Sequence, residues 1–85
     1  MNAQQAQRNA LSQKIEQAVE GNYPSSAQMH EISNVASILW RSSGESEWGY
    51  REDELIGLPQ RIRGVASMLD ISIDDAEIEG CRLTD

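Results

Sequence analysis

SSAQMHEISNVASILWRSS, residues 25–43, is the stretch from which the rest of the chain can be read. Met29, Ile32, Ala36 and Leu39 recur at steps of three, four and three, which places them on one face of a helix. Val35 and Trp40 widen that face into a stripe broad enough for a helix packed on both flanks. Ser25 with Gln28 three residues on has the pattern of a capping box, in which each side chain takes up a backbone N–H that the first turn leaves unpaired. Ser42-Ser43-Gly44 supplies the stop, because glycine adopts the left-handed conformation that a helix end commonly needs.

Upstream, residues 2–20 read as a first helix. Ala3, Ala6, Ala10, Leu11, Ile15, Ala18 and Val19 are assigned to its apolar side, with Leu11, Ile15 and Val19 as the anchors. Gly21-Asn22 ends it, and Tyr23-Pro24 predicts an extended residue before the next helix. So short a connection makes the two helices an antiparallel hairpin. Downstream, Leu55, Leu58, Ile62, Val65, Ala66 and Leu69 keep helical spacing, interrupted by Gly57 and Pro59. Proline is tolerated in a first turn and costs about 3 kcal/mol in a helix interior. A short turn over 52–56 and a separate helix from Pro59 to Leu69 or Asp70 are therefore expected, a single kinked helix being the alternative. In the tail, Ile71 and Ile73 alternate like a strand, but Ser72 and the acids from Asp74 to Glu77 favour a helix start. A short helix over 73–79 with disordered last residues is expected. The fold class is thus all-α, a small three-helix bundle with one or two additional short helical turns, in a single domain over residues 1–85.

Composition narrows the function classes. The chain has 85 residues, is 39% apolar and contains no Phe, so its core is thin and a pocket of the size that ligands occupy has little room. A single cysteine, Cys81, allows no internal disulfide, and the polar, Gln-rich start has no apolar run of the secretory kind. No segment approaches the roughly 20 apolar residues that span a membrane. A cytoplasmic protein is expected. Net charge is −7, and all of it belongs to residues 45–85, since residues 1–44 hold equal numbers of acids and bases. Phosphate backbones repel such a chain, which argues against direct nucleic-acid binding.

Chemical signatures are absent from the sequence. His30, the sole histidine, has only a distant Cys81 as a soft co-ligand, too few for a metal centre. Cys81 stands among Asp74, Asp75, Glu77 and Glu79, which raise a thiol's pKa and disfavour a Cys–His nucleophile. No phosphate loop, nucleophile elbow, calcium loop or zinc spacing occurs. Catalysis and cofactors are therefore not expected. Arg61 and Arg63 are expected to pair with Glu52, Asp53 or Glu54 across the Gly57-Pro59 bend.

What remains is binding. The aromatic, acidic loop holding Glu45, Glu47, Trp48, Tyr50, Arg51, Glu52 and Asp53 is the candidate partner surface, because Trp, Tyr and Arg dominate interface hot spots. Trp48 and Tyr50 could instead fold back as a lid on the core. The expected function is that of a small acidic accessory or regulatory protein, of bacterial or phage type in composition, that binds another protein with a basic surface. A homodimer through the Ala-lined first helix is a further expectation. The rival is a nucleic-acid mimic, whose carboxylates occupy a nucleic-acid-binding cleft.

Overall fold

The computed structural model describes residues 3–44 and 49–81, apart from the side chain of Glu52. Five helices follow in order: α1 Ala3–Asn22, α2 Ser26–Arg41, α3 Glu52–Ile56, α4 Leu58–Leu69 and α5 Asp75–Glu79. The fold is an all-α bundle in which α1, α2 and α4 pack against one another, with α3 and α5 held against α4.

The capping box forms as the sequence predicts. The Gln28 backbone N–H donates to Ser25 Oγ, and the Ser25 N–H to Gln28 Oε1, each at 3.2 Å. At the other end of α2, Ser42 Oγ donates to the Leu39 carbonyl at 3.1 Å and Ser43 Oγ to that of Trp40 at 2.6 Å. Both serines are buried, and their hydroxyls satisfy carbonyls that the last turn leaves without an intrahelical partner. Gly44 then turns the chain at φ 83, with the Gln5 side chain close against it.

The hairpin turn departs from expectation. Tyr23 is left-handed at φ 47 rather than extended, and it takes the chain from Asn22 into Pro24 in a single step. Gly57 separates α3 from α4 and leaves Pro59 in the first turn of α4, where its missing N–H costs nothing. The end of α4 is a Schellman motif: Ile71 N–H reaches Ala66 O at 3.0 Å over a left-handed Asp70. Ile71 and Ile73 then run as an extended connection whose side chains rest on the core, so their alternation is real but belongs to no sheet. In consequence α5 begins at Asp75 with Asp74 as its cap, two residues later than predicted.

One cluster forms the core: Leu11 and Ile15 of α1; Ile32, Val35, Ala36, Ile38 and Leu39 of α2; Leu55; Leu58, Ile62, Val65 and Leu69 of α4; and Ile78 with Cys81. Val19, expected inside, is half-buried. The larger correction concerns the start of α1. Ala3, Ala6 and Ala10 face solvent, because each lies a third to a half turn round the helix from Ile15. The positions in phase with Leu11 and Ile15 are Arg8 and Ser12, and both are buried. Ser12 Oγ donates to the Ala36 carbonyl at 3.2 Å, a contact between small residues that holds α1 close to α2.

Candidate functional site

Of the predicted partner loop, Glu45, Glu47 and Trp48 lie outside the described residues, as does the Glu52 side chain. Tyr50 is 38% exposed and Arg51 and Asp53 are exposed. The last two pair with each other, Arg51 Nη2 to Asp53 Oδ2 at 2.6 Å and Nε to Oδ1 at 3.1 Å. This hydrogen bonding lowers the Asp53 carboxyl below its usual range and raises the Arg51 guanidinium. The described part of the loop is therefore locally neutralised. Beside it, Ile56 projects from α3 at 81% exposure, an outward apolar residue that the sequence reading left unassigned.

The other ion pairs also differ from expectation. Arg61 pairs with Glu31, tying α4 to α2, and Arg63 with Asp75, tying α4 to α5. Neither reaches across the Gly57 bend. Glu54 is taken instead by Arg41 at the end of α2, at 3.1 Å, and Lys14 of α1 stands 3.5 Å from Glu77 of α5. With Arg51 held by Asp53, five of the described cations are each set against a carboxylate of the same chain.

The sixth, Arg8, is only 3% exposed. Its Nε donates to the Ser42 carbonyl at 3.1 Å and its Nη1 to that of Cys81 at 3.4 Å. The guanidinium thus sits where α2 and the turn after α5 end, and the partial negative charge of a helix C-terminus favours a cation there. Its spacing before Leu11, Ser12 and Ile15 marked it as inward-facing, although its charge suggested the polar side.

Cys81 is buried in the same corner and donates its thiol hydrogen to the Glu77 carbonyl at 3.3 Å. Burial is the main cause that pushes the thiol up, to about 11; Arg8 opposes the rise and Glu77 adds to it. His30 is exposed on α2. Among the described residues, no three His, Cys, Asp or Glu side chains gather in a way that could hold a metal ion, and no helix is long and apolar enough to cross a membrane. The raised thiol has a measurable consequence. The fold keeps its proton to about pH 11, whereas the unfolded chain loses it near the ordinary value of 9.0. Stability should therefore fall as pH rises through that window, by up to ~1.4 kcal/mol per pH unit, with no contribution from this group below it. Urea midpoints across the window check this. Cys81→Ala should remove that part of the slope, and an unchanged slope would contradict the burial.

An open groove with a volume of about 370 Å³ runs between α1 and α2. Val19, Met29 and Trp40 line it over a floor of Ile15, Ile32 and Ala36, with Glu16, Ser33 and Ser37 along the edges. It continues past Trp40 and Glu16 into a more polar section bordered by Asn9, Ser12 and Gln13. Ser33 and Trp40 lie about half a turn round α2 from Glu31, which is paired with α4. The groove therefore opens on the side of the hairpin that α4 leaves uncovered. Trp40, read from the sequence as part of a packed stripe, is 41% exposed there. The stripe on α2 is wider than α1 and α4 together can cover, and its excess width forms this groove.

No protein-family model, curated protein or solved structure matches the chain at a significant level.

Proposed function

We propose that the protein is a non-catalytic interaction module that binds another protein with a basic surface, in the cytoplasm, and that Trp40 in the α1–α2 groove is its principal anchor. The observation that carries this reading is a half-exposed indole at one end of an apolar groove, in a chain whose core is otherwise short of large side chains. Tryptophans in such settings dominate interface energetics, because they bury a large rigid area at small entropic cost. The buried, raised Cys81 thiol fits a structural role better than a nucleophilic one. The mimic reading has less support: Asp53, Glu54, Asp75 and Glu77 each stand beside a cation, which breaks the row of carboxylates that mimicry requires.

Photo-crosslinkable residues at Ser37 in the groove, at Tyr50 in the loop and at Met68 on α4 test the proposal in the cells that make the protein. A discrete adduct from Ser37 to a second protein, absent from Met68 and lost in high salt, is expected. Adducts only between copies of this chain would overturn the reading. An adduct that added DNA competes away would replace it with mimicry.

A further inference from the structure

We infer that the occupant of the α1–α2 groove is a basic amphipathic helix of the partner, its apolar stripe against Val19, Met29 and Trp40 and its lysines or arginines facing Glu16 and Glu20. The inference rests on the interaction reading above and adds the shape and charge of what binds. Shape comes first. A trough between two neighbouring helices is the surface against which a third helix packs, with its ridges in their grooves. About 370 Å³ takes a few side chains of a stripe spaced i, i+3 or i+4, and i+7. A small ligand is a poorer fit, because ligand sites enclose most of the molecule, whereas this trough is open to solvent.

Charge then selects the kind of helix. Glu16 borders both the apolar and the polar sections of the groove, and Glu20 lies one turn further along α1 on the same side. Neither makes an ion pair among the described residues, and no described cation lines either section. Lys14, Arg41, Arg51, Arg61 and Arg63 are set against acids elsewhere, and Arg8 is buried. A second copy of this chain would bring the same two carboxylates, a net charge of −7 and no uncommitted described cation to meet them. Juxtaposed like charges disfavour that pairing, and a cationic helix is favoured.

The test uses the full chain and three synthetic helical peptides. One carries leucines on one face and lysines on its flanks, the second has the same composition scrambled, and the third replaces lysine by glutamate. Calorimetry should show the first binding one to one and the other two at least about 10-fold more weakly. Trp40→Ala should weaken the first peptide about 10-fold or more. Glu16→Gln combined with Glu20→Gln should weaken it severalfold and flatten the salt dependence. Ser33→Lys, an exposed edge position that leaves the core untouched, should act in the same direction should Trp40→Ala fold poorly. Asp53→Asn should change nothing. Equal binding of the scrambled peptide, indifference to the Glu16 and Glu20 changes, or a doubled mass in sedimentation that Trp40→Ala abolishes would each overturn the inference. Crosslinking of a partner from Tyr50 but not from Ser37 would leave the interaction function standing and remove this groove from it.

Discussion

Leu39→Ala should destabilise the fold by roughly 2–5 kcal/mol, the range for removing a leucine's buried atoms and leaving a cavity. Leu39 has no exposed surface and stands on α2, which packs against both α1 and α4, so no single helix can shift to refill the space. A domain this size has few kilocalories to lose, and each one corresponds to about 4–8 °C in Tm. The variant should melt at least about 10 °C below the parent, and much of it should be unfolded under mild conditions. Ile62→Ala, the fully buried counterpart on α4, should behave alike. Melting within a degree or two of the parent would mean that α2 and α4 do not share this core.

Arg8→Met is the second large effect. The substitution keeps most of the apolar stem but removes the donors that serve Ser42 O and Cys81 O. Each buried acceptor left unpaired costs about 1–3 kcal/mol, so the loss should approach that of Leu39→Ala. Arg8→Lys should recover little, since an ammonium cannot hold two carbonyls with the fixed fork of a guanidinium. Two local readouts separate this from general weakening. Amide exchange at residues 76–81 should rise more than in α2, and the Cys81 thiol should titrate higher once the cation that opposes its rise is gone. An Arg8→Met protein as stable as the parent would show that burying the charge costs as much as its hydrogen bonds return.

Helix periodicity made most of this structure legible. The α2 stripe, the capping box, the glycine stop and the Gly57-Pro59 break were all readable, because local chemistry alone determines them. Errors arose where residue type and residue phase disagree. Ala3, Ala6 and Ala10 group with Leu11 by being apolar, although their phase turns them outward; Arg8 and Ser12 are polar, yet their phase turns them in. Ion-pair partners were misassigned because Arg61 and Arg63 are nearer in sequence to residues 52–54 than to Glu31 or Asp75, and only the packed bundle reverses that order. Ile78 and Cys81 were overlooked since their burial depends on α1 and α5 meeting, which no local pattern encodes. As for the groove, its lining residues were visible as an over-wide stripe. That its outer edge stays open was not, because this depends on where α4 lies.

The groove can receive a partner only if Trp40 is available in the free protein, where it is 41% exposed. Trp48→Phe leaves Trp40 as the only indole, and its emission with iodide quenching reports that site alone. Emission characteristic of a partly hydrated indole, quenched by iodide in the free chain and shifted to the blue and shielded when the basic amphipathic peptide is added, is the predicted result. An indole already blue-shifted and protected from iodide in the free monomer would contradict it.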